Sequence, residues 1–503
     1  MSFEMLLSNA AALVVVVPLL GGAIAMLLGS SRLAWSWSLI CALVTFSLAL
    51  VLLAGVLGGQ NISYEMGAWV SPLGILFEID ALNVLLITLV SAMGLLALLY
   101  GLPTIDQEVD RHQHAMFFGT FLICVAGLIG VSITGDAFNV FVFLEVSSIS
   151  TYVLVAMGSK QNRQALTASF NYLILGTIGA TFFVIGVGLL YMATGTLNMA
   201  DISRVLAETG SDRVVRAAFA FIVIGLGLKT AMFPLHTWLP NAYAFSPSMI
   251  GVFLASTATK VALYMLIRFL YSVFSAGQSF ETAMFDYVLA PMAVTAMIVC
   301  SVQASFQSDV RRLLAYSSVA QIGYMLLGLS MGTVAGLAAA LIHLFNHALM
   351  KGALFMAVGI AGLGLGVVRI SEMRGLGKTM PLTAAGLSIA GLSLMGVPLT
   401  AGFISKYYLV IAALERGWWW AVVAIVVSSV LAIFYVGRMI EVMYLQEPPK
   451  TTDDAAVTVR SPILPLIALY VLVIANVWFF FDPSLPMGLA NTAANELIGG
   501  GGS

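Results

Sequence analysis

The chain has 503 residues, of which 61% are hydrophobic and 9% are charged, and its net charge is −2. No water-soluble domain of this length carries so apolar a composition, so the sequence indicates a multi-pass membrane protein. The basic residues form no long run, which argues against nucleic acid as a partner. We therefore expect the partners of this chain to lie in the membrane plane.

The predicted elements are transmembrane helices, each of which needs about 20 apolar residues to cross a bilayer. Fourteen stretches meet this requirement, so we predict an all-α fold of about fourteen spans. They are 10–29, 33–57, 80–101, 115–134, 136–157, 165–193, 215–236, 248–271, 284–304, 310–330, 332–361, 382–412, 418–440 and 462–481.

The spans group into four predicted parts. Residues 1–114 hold spans 1–3, 115–271 a first five-helix repeat (spans 4–8), 284–440 a second repeat (spans 9–13), and 441–498 a loop with span 14. Residues 499–503 resemble a flexible linker and are excluded from the prediction.

Two spans carry an interior proline, and the sequences around these prolines align without gaps. Segment 227–235 contains Pro234, and segment 391–399 contains Pro398. Proline removes a backbone donor, so we predict that spans 7 and 12 are broken helices. Paired breaks in two halves indicate a transport site, and an odd number of spans per repeat inverts the second copy. The alternative is chance similarity among Gly, Leu and Pro.

The loop charges predict the orientation of the chain in the membrane. An even number of spans puts both termini on one face, which we call the terminal face. Five basic loop residues fall on this face and twelve on the other. Cytoplasmic loops carry the excess of Lys and Arg. We therefore predict a bacterial inner-membrane protein with both termini on the periplasmic or extracellular side.

Lysines within apolar spans are the main functional signal, because burying a cation in hydrocarbon is costly and usually marks an ion or proton path. Lys229 lies in span 7, and Glu145 is the one acid near the centre of a span. We predict that these two side chains pair; a purely structural ion pair is the alternative. Lys260 lies in the middle of span 8 beside small hydroxylated residues, and the alternative to a proton relay there is snorkelling to the surface.

Span 11 carries a stripe of titratable residues. His343, His347 and Lys351 follow at spacing i, i+4, i+8, which places them on one helix face with Asn346 beside them. We expect this face to contact water and the helix to be interrupted or widened near His343. Two His one turn apart also suit zinc, yet no HExxH frame or third ligand is present. A structural hydrogen-bonded stripe is the other alternative.

The remaining polar residues lie near span ends. Lys406 follows the break at Pro398 and is expected to end the chain of polar groups near one membrane face, within reach of water. His236 follows the first break and either gates the cytoplasmic inlet or caps the broken helix. Asp136 is interpreted as a helix N-cap rather than a relay member. The three cysteines, Cys41, Cys124 and Cys300, are interpreted as core residues.

Together these segments resemble the proton-conducting membrane subunits shared by respiratory complex I, membrane-bound hydrogenases and Mrp-type cation/proton antiporters. The likeness is carried by Glu145, by Lys229 with Phe233–Pro240, by Thr259–Lys260, by His343–Lys351 and by Lys406. Within the family the length and the segment 259–264 are most similar to the D-type subunits of Mrp antiporters.

The resemblance implies a role for each of these residues. Glu145 and Lys229 would form a switching pair, and Lys260 would be the central lysine. The His343/His347 helix would bridge two half-channels, and Lys406 would lie toward the exit. It also implies other subunits of a multisubunit antiporter as partners, H⁺ and Na⁺ or K⁺ as transported ions, and no cofactor or metal. The alternative function is a proton-pumping subunit of a redox complex like complex I or a hydrogenase.

Overall fold

The computed structural model describes residues 3–210, 212–274, 283–366, 368–448 and 461–499. Residues 500–503 of the predicted linker lie outside this part of the chain, as do Lys450 and Arg460, two of the basic residues counted in the loops. Within the described part, helices dominate, which confirms the all-α fold class.

In chain order the helices begin with α1 (Phe3–Leu27), α2 (Ser31–Leu57), α3 (Ala81–Glu108), α4 (His114–Ile133), α5 (Ala137–Ala156), α6 (Gln164–Thr194), α7 (Met199–Thr209), α8 (Arg213–Thr230), α9 (Leu239–Phe245), α10 (Ser248–Ser256) and α11 (Ala258–Arg268). They continue with α12 (Ala290–Ser305), α13 (Val310–Ser330), α14 (Val334–Leu365), α15 (Leu376–Thr379), α16 (Pro381–Met395), α17 (Ala401–Glu415), α18 (Trp419–Leu445), α19 (Ile463–Phe481) and α20 (Ser484–Ile498).

A short β-hairpin interrupts the helical pattern between α2 and α3, and the sequence prediction missed it. Strands β1 (Ile62–Glu65) and β2 (Leu76–Ile79) pair antiparallel. Phe77 of the hairpin bridges to Thr134, and Asp136 bridges to Asn198. The hairpin, the α4–α5 turn and the loop before α7 therefore lie on the same face, as alternating spans require.

Twelve helices in the described residues are long and apolar enough to cross a membrane. Two predicted spans, 215–236 and 382–412, are absent from this set because both are interrupted. Helix α8 ends at Thr230 and helix α16 ends at Met395, each a few residues before a proline. The predicted breaks at Pro234 and Pro398 are thus confirmed, whereas the total of fourteen spans and the inverted repeats stay predictions.

A third break falls in span 8, where none was predicted. Helices α10 and α11 are separated at Thr257, whose backbone leaves the helical region at φ −128° and ψ −57°. The hydroxyls of Ser256 and Thr257 donate to the carbonyls of Val252 and Phe253, four residues earlier. Such back-bonding bends helices, and here it accompanies an interruption of one residue, three residues before Lys260.

Helix α14, by contrast, runs unbroken from Val334 to Leu365, so the expected interruption near His343 is wrong. The physical reason is that neighbouring side chains satisfy His343, which needs no opening of its own helix. Helix α14 packs at the centre of the fold beside α13, α10 and α17. Helices α4, α10, α11 and α13 are almost wholly buried as well, so the polar residues of α11 and α14 lie deep in the protein.

Candidate functional site

Lys229 and Glu145 are brought into contact, as predicted. Lys229 is the second-last residue of α8, and its Nζ lies 3.4 Å from Glu145 Oε1 on α5. The same Nζ donates to Ser148 Oγ at 2.7 Å, so the hydroxyl is the closer partner. Glu145 and Ser148 are three residues apart and share one face of α5. The ammonium therefore contacts the carboxylate and the hydroxyl at the same time, and the hydroxyl is held more closely.

Lys260 is buried in the protein centre, with 1% of its surface exposed, so snorkelling is excluded. Its Nζ donates to the carbonyl of Ala255, which lies in the last turn of α10. Carbonyls at a helix end lack intrahelical partners, and the break at Thr257 therefore supplies this acceptor. Among the described residues no carboxylate forms an ion pair with Lys260. This lysine can thus change protonation state without breaking an ion pair.

The α14 stripe is buried as one continuous polar line. The rings of His343 and His347 stack with centroids 6.2 Å apart and planes within 5°. His343 Nε2 bonds to Gln321 Oε1 at 2.9 Å and its Nδ1 to Ser405 Oγ at 2.8 Å. Because a carbonyl oxygen only accepts, Nε2 carries the proton and Nδ1 accepts from the serine. None of the stripe faces lipid, which leaves the predicted bridging role open.

The next two members of the stripe differ in how they are held. Both ring nitrogens of His347 lack a hydrogen-bond partner within the described part of the chain. Lys351 Nζ donates to Leu314 O at 2.7 Å and to Ser317 Oγ at 2.5 Å on α13. His347 lies within electrostatic range of both Lys260 and Lys351. A buried imidazole with two free nitrogens near two lysines is suited to accept a proton from one group and release it to another.

Lys406 ends the line at the second broken helix. Its Nζ donates to the carbonyls of Leu394 and Met395 at 3.1 and 2.9 Å, at the last turn of α16. It also donates to Ser429 Oγ at 3.2 Å and lies 4.9 Å from the centre of the Tyr324 ring. The negative end of the half-helix dipole stabilises the ammonium there. Lys406 is itself buried, but it lines a cavity of about 420 Å³.

His236 shows no capping role. The first turn of α9 is preceded by Trp238, which makes no side-chain cap. The His236 ring is 6% exposed, stacks on Phe233 at 5.2 Å, and places Nε2 4.0 Å from Cys300 Sγ. It therefore packs against α12 beside the break.

Asp136 caps α5, as predicted, by accepting from the backbone N–H of Asn139 at 2.7 Å. Cys41, Cys124 and Cys300 are free and buried, which confirms their interpretation as core residues. No group of three His, Cys, Asp or Glu side chains able to hold a metal occurs within the described residues.

Two buried ion pairs were missed because their members lie at span ends in the sequence. Arg268 pairs with Asp80 at 2.6 Å, and Arg311 lies 3.7 Å from Glu108. The hydroxyl partners of the lysines were missed as well, because serine is common in apolar helices. One available signal was the position of Arg268, eight residues after Lys260 on the same helix face.

Comparison with known proteins places this geometry in a family. The model of the NADH:quinone oxidoreductase/Mrp antiporter transmembrane family matches residues 134–432. The chain is 43% identical to NADH-quinone oxidoreductase subunit N of Desulforudis audaxviator, over 87% of each chain. It is 29% identical to the D-type subunit of the Na⁺/H⁺ antiporter of Alkalihalophilus pseudofirmus, over 82% of this chain and 81% of the relative.

A solved structure has the same fold as this chain. A chain of the membrane-bound sulfane sulfur reductase, an archaeal respiratory membrane complex, superposes with a TM-score of 0.89 and 31% identity over 98% of both chains. These similarities confirm the predicted family resemblance and the multi-pass membrane fold. They agree with the prediction that other subunits of a membrane complex are the partners.

Proposed function

Because the chain belongs to the membrane-subunit family of NADH:quinone oxidoreductases and Mrp antiporters, we propose that it translocates protons as one subunit of a multisubunit Na⁺ or K⁺/proton antiporter. The observation that carries this proposal is the buried line formed by Lys260, His347, His343 and Lys406. Polar residues buried at membrane depth usually belong to ion pathways, and lysine and histidine both exchange protons.

In the proposed mechanism each transfer moves one proton and leaves a neutral base behind. A protonated Lys260 gives its proton to a free nitrogen of His347, directly or through water, and becomes a neutral amine. The imidazolium passes a proton onward to a neutral Lys351, or through water to a ring nitrogen of His343, and becomes a neutral imidazole again. Lys406 receives the proton at the second break and releases it toward the membrane face.

The Glu145–Lys229 pair would control when this transfer occurs. When Lys229 contacts Glu145, the two charges compensate each other. When it moves to Ser148, its positive charge is less compensated and repels a proton on the neighbouring lysine line. The effect of such a charge is large in a poorly hydrated interior. The pair would thus couple proton movement in this chain to an event at the α5 surface, where Glu145 is 23% exposed.

A second candidate function is a proton-pumping subunit of a redox-driven complex, in which the same residues move protons but electron transfer supplies the energy. The 43% identity with an oxidoreductase subunit favours this candidate. The two candidates use this chain in the same way, and they differ in the subunits beside it.

Purification of the intact complex from its membrane separates the two candidates. Co-purification with other membrane subunits alone, together with Na⁺- or K⁺-dependent proton movement in everted vesicles, supports the antiporter. Co-purification with iron–sulfur or flavin subunits, together with proton movement that requires an electron donor, supports the redox complex. In either case Lys260→Gln should abolish proton movement, whereas Lys378→Gln in the short helix α15 should not. Unchanged transport in Lys260→Gln would refute the proposed function.

A further inference from the structure

Helix α11 carries a line of three polar side chains that leads from the protein centre to the terminal face. Lys260, Tyr264 and Arg268 follow at i, i+4 and i+8, so they lie on one side of the helix. Arg268 is the last residue of α11, roughly 12 Å along the axis from Lys260. This line points away from the α14 stripe and offers Lys260 a second way out of the protein.

A polar cavity lies at the end of this line. It has a volume of about 320 Å³ and is lined by Tyr264 and Arg268, together with Glu78, Asn83 and Thr134. Glu78, on the hairpin, is exposed, so the cavity reaches the terminal face. Tyr264 and Arg268 therefore stand between the central lysine and space that water can enter.

Hydrogen bonds hold both side chains in a closed arrangement. Arg268 Nη2 donates to Asp80 Oδ2 at 2.6 Å, and its Nε donates to the hydroxyl oxygen of Tyr264 at 3.3 Å. The Tyr264 hydroxyl donates its own proton to Ser132 O at 2.9 Å. Backbone N–H groups, including that of Leu82, fix the other oxygen of Asp80. The tyrosine can accept a proton from the interior only if the guanidinium moves away.

Arg268 itself cannot carry a proton through this passage. A guanidinium stays protonated in proteins, so it never serves as a proton acceptor. A fixed arginine charge in a narrow polar passage excludes protons and cations in other membrane proteins. Here the Asp80 carboxylate, 2.6 Å away, compensates most of this charge, so the barrier rests mainly on the hydrogen bonds that hold Arg268 over Tyr264.

We propose that Arg268, pinned by Asp80 and bonded to Tyr264, seals the terminal face of the first repeat against protons. The seal makes Lys260 exchange protons with the α14 stripe rather than with the 320 Å³ cavity. The inference rests on the proposed role of Lys260 in proton translocation. Arg268 acts through Tyr264 and the local charge, so it is a positioning residue rather than a carrier of the proton.

The test measures passive proton leak in liposomes that contain the complete complex. An acid jump of the external buffer drives protons inward in a medium free of Na⁺, K⁺ and electron donors, and a trapped dye reports internal pH. We expect Arg268→Gln to raise the leak at least fivefold and Arg268→Lys to restore most of the barrier. The matched control is Arg416→Gln, which removes the Arg416–Asp286 pair of 2.5 Å near the same face. This control should leave the leak unchanged.

Asp80→Asn is a second test of the seal that does not depend on whether the Arg268→Gln variant folds. Asparagine keeps the N-cap of α3 but loses the charge that pins Arg268. We expect an intermediate leak of about twofold or more with normal assembly. A leak equal to that of the unmodified complex in both Arg268→Gln and Asp80→Asn overturns the seal.

A double variant separates this inference from the proposed function. If the leak in Arg268→Gln runs through Lys260, adding Lys260→Gln should return it to the level of the unmodified complex. A leak that persists in the double variant overturns the seal as stated. If Lys260→Gln alone leaves driven transport intact, the proposed function fails instead, and the leak through Arg268→Gln still reports on the barrier.

Discussion

Removal of the Ser148 hydroxyl tests whether the ammonium of Lys229 moves between two partners. The bond from Lys229 to Ser148 is 2.7 Å, within the range of charge-assisted hydrogen bonds, whereas the contact with Glu145 is 3.4 Å and lies outside it. A hydrogen bond to a charged group contributes about 1.5–3 kcal/mol. Ser148→Ala should therefore favour the Glu145-bound state by about 10- to 150-fold, since about 1.4 kcal/mol is tenfold.

We expect this shift to slow driven proton transport by about tenfold or more, because the pair must open in every cycle. The assay is the initial rate of proton movement in everted vesicles, followed with a pH-sensitive dye. Ser150→Ala is the matched control, since the Ser150 hydroxyl bonds only to Val146 O, within α5. Complete loss of transport is expected for Lys229→Ala, with the protein still assembled in the membrane. Normal rates in both Ser148→Ala and Lys229→Ala would refute the switching pair.

Three further predictions follow from the site and the topology. His347→Ala should reduce transport severely and His236→Ala much less, because only His347 lies between two lysines; a worse defect in His236→Ala would contradict the bridging role. A cysteine in loop 198–212 should be labelled from the periplasmic side and one in 370–378 only from the cytoplasm, and labelling of both from one side would disprove the topology. Asp136→Ala should lower the stability of α5 by about 0.5–2 kcal/mol, measured by thermal unfolding, while transport by the assembled protein stays normal.

The sequence predicted those features of the fold that depend on a single strong local signal. Pro234 and Pro398 break their helices because proline cannot donate a backbone hydrogen bond and its ring clashes with the preceding turn. The break at Thr257 was not predicted, because threonine also occurs in unbroken helices. Its backbone angles and its bond to the Phe253 carbonyl are seen only in the structure. The buried lysines were predictable from the cost of burying a charge. The pairing of Arg268 was harder to predict, because this residue lies near the end of its span and its partner lies 188 residues earlier.

The two acidic ends of α3 restrict how the molecule can move. Asp80 at one end pairs with Arg268 in the first predicted repeat, and Glu108 at the other end lies 3.7 Å from Arg311 in the second. Helix α3 belongs to neither predicted repeat, and its two ends bind one repeat each at opposite membrane faces. Rocking one repeat against the other would break a buried charge pair, at a cost of about 3–5 kcal/mol. We therefore expect the backbone frame to stay rigid through a transport cycle, with movement confined to side chains and half-helix ends.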